Sequence, residues 1–452
     1  MPSAIWTLVR IIRQRRIQER SGRWTRTRLQ AHQQARLADL RRFVLRASPF
    51  YARFHKALEA RPFGDLPVLS KATLMEEFDQ LVTDRSLRLA ELESYLNQPQ
   101  GELYYRGRYI VLSTSGSTGR RGVFVYSRDE WLAGMAALTR PISWQRSGGS
   151  RRPQRGALIA SGTWWHYSAR AGAALNSKLL PIRRIDAAAP LSQIVAQLNE
   201  WQPVGLAAYP SVLRQLVQEQ SAGRLRIALR NIATSAEVLT EEDRRAAQRA
   251  WGARLYDTYG ATEYAPIASE CAFGHRHLFE NGALIEIVDR HGRAVPDGEP
   301  GEQVLLTVFD RRVQPLIRYA LSDVVRILPG ECECGRPYRM IERIEGRIED
   351  VLQFARRDDP GARVPIHPNI FHQELERVPA SGWQVIQRGD ALSVNLLELR
   401  DEAVVSQLPA RLRAVLESRN ARVSEITVQR VAQLQRGASG KAPLIRSLES
   451  PG

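Results

Sequence analysis

Between about residue 105 and residue 260, short apolar runs alternate with stretches whose apolar positions recur every three or four residues. Residues 109–112, 156–160, 204–209, 231–235 and 253–256 predict strands. Residues 191–201 and 211–220 predict helices, the second with Ser211 as its N-cap. A third helix opens at Thr240-Glu241-Glu242-Asp243, acidic where the helix dipole favours negative charge. Alternation of this kind predicts an α/β fold, a mostly parallel sheet covered by helices, with ligands at the carboxyl ends of its strands. Three segments fall at such ends: a hydroxyl- and glycine-rich stretch after 109–112, the stretch after Tyr209, and a turn at 259–263.

The pattern changes after residue 282. Residues 283–289, 302–309 and 324–328 predict strands joined by polar turns such as Asp297-Gly298-Glu299-Pro300-Gly301, an antiparallel β subdomain. Gly346-Arg347-Ile348-Glu349-Asp350 interrupts that pattern, and a smaller α+β unit is expected beyond it. The predicted division is therefore 1–346 and 347–452. At the other end, residues 5–46 read as basic, partly amphipathic helix, with Ile5, Leu8, Val9 and Ile12 spaced among Arg10, Arg13, Arg15 and Arg16. A helix packed on its own domain is the expectation, and contact with an anionic membrane face is the alternative.

Composition adds little to the fold but constrains the partners. A hydrophobic content of 43% with 25% charged residues is that of a globular chain. No apolar run is long enough to span a bilayer, and the first residues lack a signal-like apolar core, so a cytoplasmic address is expected. The net charge of +17 is almost wholly arginine, since only four of the 65 basic residues are lysines. Such a balance favours polyanions such as ATP, coenzyme A or an acidic carrier protein. No nucleic-acid-binding motif accompanies it, so nucleic acid is not expected as a partner.

Three separated motifs carry the chemistry. Leu112-Ser113-Thr114-Ser115-Gly116-Ser117-Thr118-Gly119-Arg120-Arg121-Gly122 offers hydroxyls and close-approaching main-chain N–H groups to phosphate. Tyr259-Gly260-Ala261-Thr262-Glu263 places a carboxylate beyond a tight turn, where it could hold magnesium. Ser439-Gly440-Lys441 sets a lysine in a Gly/Ser context near the C-terminus. This is neither a Walker loop, lacking Gly-Lys-Ser/Thr, nor a serine-hydrolase elbow, lacking Gly-x-Ser-x-Gly.

The order and spacing of these motifs resembles the adenylate-forming superfamily of acyl-CoA synthetases, adenylation domains and luciferases, and its phenylacetate–coenzyme A ligase-like branch in particular. Pro49-Phe50-Tyr51, Leu66-Pro67-Val68-Leu69-Ser70-Lys71, Tyr264-Ala265-Pro266 and Ser269-Glu270-Cys271 extend the likeness, which runs from about Leu37 to Lys441. It implies a large N-terminal domain with an antiparallel subdomain and a small mobile C-terminal lid. It also implies ATP and Mg²⁺, with Thr114, Ser115, Gly116, Ser117, Thr118 and Gly119 gripping the outer phosphates and Glu263 holding the metal. Thr262 would face the α-phosphate and Tyr259 would pack beside adenine. Ser235-Ala236-Glu237 would wall the adenine, and Asp323, in Arg318-Tyr319-x-x-Ser322-Asp323, would accept the ribose hydroxyls. Arg347 would contact nucleotide and Glu349 take the hinge position. Lys441 would bridge the acid's carboxylate and the α-phosphate. Three positions depart from the family's pattern: Arg120-Arg121-Gly122 replaces a Pro/Lys ending, Ser322 a glycine and Glu349 an aspartate.

Cys271, Cys332 and Cys334 with one imidazole, from His275 or His277, would satisfy tetrahedral zinc, and the resemblance points to His277. Some members of the resembled branch carry a similar set. Free buried cysteines are the alternative, and a disulfide is not expected in a reducing compartment. Trp165, His166 and Tyr209 follow strand ends and suit a flat aromatic acid. The expected activity is an AMP-forming ligase that loads an aromatic acid, hydroxybenzoate- or phenylacetate-like, onto coenzyme A or a carrier-protein phosphopantetheine. Two alternatives stand beside it: transfer of the acyl group to an amine or hydroxyl, and a non-enzymatic protein that binds polyanions or membrane surfaces.

Overall fold

The computed structural model describes residues 4–58, 61–98, 103–114, 121–144, 154–178, 180–342, 344, 351–366, 368–375, 378–380, 382–397, 399, 401, 403–436 and 441–448. The principal sheet has ten strands. Five run parallel, in the spatial order Ile182–Asp186, Gly156–Ala160, Gly205–Ala208, Asn231–Ser235, Arg254–Tyr259. Antiparallel strands Ala268–Glu270, Arg276–Leu278, Met340–Ile341, Val325–Leu328 and Pro300–Gly301 extend it.

Helices Leu191–Trp201, Pro210–Ser221 and Glu241–Trp251 cover one face of the parallel half. There Ile159, Leu206, Ala208 and Ile232 meet Ile194, Leu198, Val212 and Leu216. Burying side chains of this size contributes about 1.5–3 kcal/mol each. The third helix starts as its sequence predicts, with Thr240 and Asp243 forming a reciprocal capping box. Ser211 is not the N-cap of the second: Tyr209 holds that position, and Ser211 donates from both its N–H and its hydroxyl to Glu237. A proline at the next position already suits the helix start, which releases the serine for another partner.

The predicted antiparallel subdomain divides between two sheets. Ala283–Val288 and Gln303–Val308 pair with Tyr319–Leu321 in a three-stranded sheet, whereas Val325–Leu328 joins the principal one. A hairpin of Tyr109–Ser113 and Val123–Ser127 packs into the same core. The helical stretch predicted over 5–46 is broken: Ala4–Glu19 and Arg26–Ala47 are separate helices joined by a short turn through Ser21 and Gly22. The first lies along helix Arg128–Leu138, with Arg10 paired to Asp129 at 2.7 Å and Gln18 donating to the Ala133 carbonyl. Its buried Leu8 and Ile11 point inward, while Trp6, Val9 and Ile17 are exposed among Arg13, Arg16 and Arg20.

Beyond residue 351 the strands form sheets of their own, a hairpin (Leu352–Ala355 with Arg363–Ile366) and a four-stranded sheet. Helices Pro368–Leu375 and Ala403–Glu417 accompany them around a separate core that includes Phe354, Phe371, Val394 and Leu412. Among the described residues no helix is long and apolar enough to cross a membrane.

Candidate active site

One cavity of about 1070 Å³ opens at the carboxyl ends of the parallel strands, and most of the described candidate residues face it. Thr114, Ser235, Ala236, Thr262, Glu263, Asp323, His166, Tyr209 and Lys441 all line it. Thr114 follows its strand directly, and its N–H and hydroxyl clamp Gly122 at 3.0 and 2.9 Å, pinning the base of the hydroxyl-rich loop. Ser115, Gly116, Ser117, Thr118 and Gly119 lie outside the described residues, as do Arg347 and Glu349.

Glu263 is held from behind. Its carboxylate accepts from the Tyr319 hydroxyl at 3.0 Å, and its carbonyl accepts from Tyr126 and from the buried Arg311, whose guanidinium lies 3.7 Å above the Tyr126 ring. The Tyr126 hydroxyl also reaches the Thr262 carbonyl at 2.6 Å. These groups fix the turn's backbone and one carboxylate oxygen of a residue that lines the cavity. Of them the sequence brings forward only Tyr319, within Arg318-Tyr319. Tyr126 and Arg311 reach the turn from distant positions, and no local pattern marks them.

Two residues stand elsewhere than the resemblance implies. Tyr259 is behind the wall rather than on it, and its hydroxyl donates to Asp323 at 2.8 Å, orienting that carboxylate. Glu237 likewise does not line the cavity. Its Oε1 accepts from the Ser211 hydroxyl and from the Ala442 N–H at 2.9 Å, so it ties the segment bearing Lys441 to the larger unit. Burial raises the Glu237 pKa, while the Ser211 N–H and hydroxyl and the Lys441 charge oppose the rise. Arg436 strengthens the same junction, donating to the Ala187 carbonyl at 2.7 Å and to Gln215. The Lys441 ammonium stands 5.3 Å from the centre of the Tyr209 ring. Burial, then the charges of Lys441 and Arg121, hold the His166 imidazole down to about 4. His166 is therefore neutral at physiological pH.

Trp165, expected in the acid pocket, faces a smaller neighbouring cavity. The Arg121 guanidinium covers its ring at 4.2 Å, and Arg121 also donates to Asn97.

The cysteines converge at the antiparallel end of the sheet. Ligand atoms of Cys271, His277, Cys332 and Cys334 lie within 4.8 Å of one another, and Cys271 and Cys332 sulfurs are 3.7 Å apart. Zinc–thiolate bonds of about 2.3 Å in a tetrahedron require sulfurs about 3.8 Å apart, so the donor set fits. The His277 Nδ1 faces the Tyr338 carbonyl at 3.2 Å, which directs Nε2 at Cys334. His275 approaches Cys332 at 3.2 Å, outside the set of four.

Residues 107–306 match the family model described as AMP-binding enzyme. The chain is 28% identical over 254 residues to the phenylacetate-coenzyme A ligase of Pseudomonas putida, a stretch covering 53% of this chain and 55% of that one. It is 28% identical over 313 residues to the Escherichia coli K12 phenylacetate-coenzyme A ligase, 65% of this chain and 67% of that one. Over residues 107–306 the chain therefore carries an AMP-binding enzyme domain. The alignment thus spans about half the length of the Pseudomonas relative. The fold of the chain is also that of a 2-hydroxyisobutyryl-CoA ligase solved in its postadenylation state, at 20% identity, 95% and 91% coverage and a TM-score of 0.71. Against the same ligase in its thioesterification state the TM-score is 0.58.

Proposed function

We propose that this protein is an enzyme that activates a carboxylic acid with ATP and passes the acyl group to the thiol of coenzyme A. The acid's carboxylate oxygen attacks the α-phosphorus, the bond to the β-phosphate breaks, and pyrophosphate leaves. The thiol then attacks the acyl carbonyl and AMP departs. The observation that carries this reading is the meeting of Lys441, from the C-terminal unit, with Thr114, Glu263 and Asp323 around one cavity.

Each residue has a role in the reading. Glu263 holds Mg²⁺, which neutralises phosphate charge. Thr262 and the loop begun by Thr114 steady the phosphates, while Ser235 and Ala236 face the base. Asp323, oriented by Tyr259, accepts the ribose hydroxyls. Lys441 neutralises charge that develops between carboxylate and α-phosphate. Arg347 and Glu349 supply a nucleotide contact and a hinge between domains 1–346 and 347–452, by which Lys441 withdraws for the second step. The four-ligand Cys/His cluster holds a structural zinc, with no position open for catalysis. A carrier-protein phosphopantetheine offers the same thiol as coenzyme A. An aromatic acid is one candidate, carried by the names of the relatives, and His166 and Tyr209 line the cavity where the acid would lie.

Acid-dependent exchange of pyrophosphate into ATP tests the first half-reaction. Lys441→Ala should lower exchange by about a hundredfold or more, the range of a lost transition-state charge contact. Thioester formation from supplied acyl-adenylate should persist in that variant. Equal loss of both half-reactions would remove Lys441 from its role.

A further inference from the structure

The cavity of about 1070 Å³ extends beyond the residues read above as nucleotide-binding. Its extra space lies against the parallel sheet, on the face opposite the three covering helices. Central parallel strands usually carry large apolar residues on both faces. Here the second face presents Gly156, Gly205, Ala207, Asn231 and Ala233 between the larger Leu158 and Tyr256, all only half-buried inside the molecule. The helix that would cover them, Tyr167–Leu175, sits instead at the sheet's edge, where a Cβ on Gly172 would stand 2.5 Å from Leu158. The next strands stay open beneath it. Among the described residues, a Cβ on Gly205 would meet nothing nearer than the Asn231 carbonyl at 4.0 Å. The far end is apolar too: Leu8 and Ile12 of helix Ala4–Glu19 close it together with Leu175 and Ile182.

We propose that the acid is long and apolar, a fatty acid of about twelve to sixteen carbons lying across the sheet with its tail against the N-terminal helix. The inference rests on the ligase reading above and names its substrate. Its length follows from the wall. Tyr256, Ala233, Gly205, Leu158 and Ile182 belong to five successive strands, so the space crosses about 19 Å at about 4.8 Å per strand. An extended chain advances about 3.5 Å for every three bonds, so about sixteen bonds is the upper limit of that span. A ring with one methylene would leave most of that apolar surface uncovered. Two arginines stand at that end, Arg15, which is paired with Glu19 at 3.4 Å, and Arg155, whose guanidinium donates to the Trp201 carbonyl.

Pyrophosphate exchange with acetate, phenylacetate, octanoate, dodecanoate and hexadecanoate tests the proposal. The kcat/KM for dodecanoate or hexadecanoate should exceed that for phenylacetate by about tenfold or more. Gly205→Leu, placed midway, should lower the ratio of hexadecanoate to octanoate kcat/KM by about tenfold. Ile12→Trp, at the far wall, should lower the same ratio and provides the test if the strand variant does not fold. Exchange best with acetate or phenylacetate, or a ratio unmoved by a folded variant, would overturn the long-acid proposal and leave the ligase reading standing. Exchange with no acid at all would overturn the ligase reading and the proposal with it.

Discussion

At the scale of single residues, the site depends on groups that do not touch its ligands. Tyr259 sets Asp323, while Tyr319, Tyr126 and Arg311 set Glu263 and its turn. His166 allows a direct check of this environment. Unfolded, a histidine takes up its proton near 6.5, and the folded site resists protonation until about 4. Below 6.5 the unfolded chain therefore binds more protons, so this group withdraws stability as pH falls from about 6.5 toward about 4. NMR of the native enzyme should place the His166 midpoint near 4. Lys441→Ala should raise it, because a positive neighbour is lost. A native midpoint near 6.5 would refute the described surroundings. Such support residues were the least legible part of the site. Lys441, Glu263 and Asp323 carry their roles in local motifs, whereas Arg311 shows only as one arginine among many until the chain folds.

At the scale of elements, helices Pro210–Ser221 and Glu241–Trp251 are locked by a buried pair, Arg214 with Asp243, whose two bonds measure 2.7 and 2.8 Å. Arg214→Ala leaves Asp243 charged and buried, and thermal or denaturant unfolding should register a loss of about 3–5 kcal/mol. A change near zero would mean that water reaches the carboxylate. The Cys/His cluster joins the turn after Ala268–Glu270 to the turn at 332–334. Protein purified without chelators should carry one zinc per chain, and Cys334→Ser should lower both metal content and melting temperature. A metal-free preparation with an unchanged melting temperature would remove the zinc assignment. The parallel strands and their helices were readable from periodicity, since both patterns repeat locally. The destination of residues 325–328 was not. A short amphipathic strand fits either sheet, and only tertiary pairing decides.

At the scale of the whole molecule, the small unit is docked with its lysine inside the cavity, held by Ala442 to Glu237 and by Arg436 to Ala187 and Gln215. Glu237→Ala should weaken this docking, lowering pyrophosphate exchange by about tenfold while sparing thioester formation from supplied acyl-adenylate. Parallel losses in both steps would argue that Glu237 supports the fold alone.

Helix Ala4–Glu19 is the barrier between a greasy interior and water, and it is held largely by one neighbouring helix. Its outer side, bearing Trp6, Val9 and Ile17 among arginines, is itself surface-active in character. A mild detergent would thus have two reasons to pull it away. Uncorking in this way should silence turnover at concentrations that leave the circular dichroism intact, and dilution should restore it.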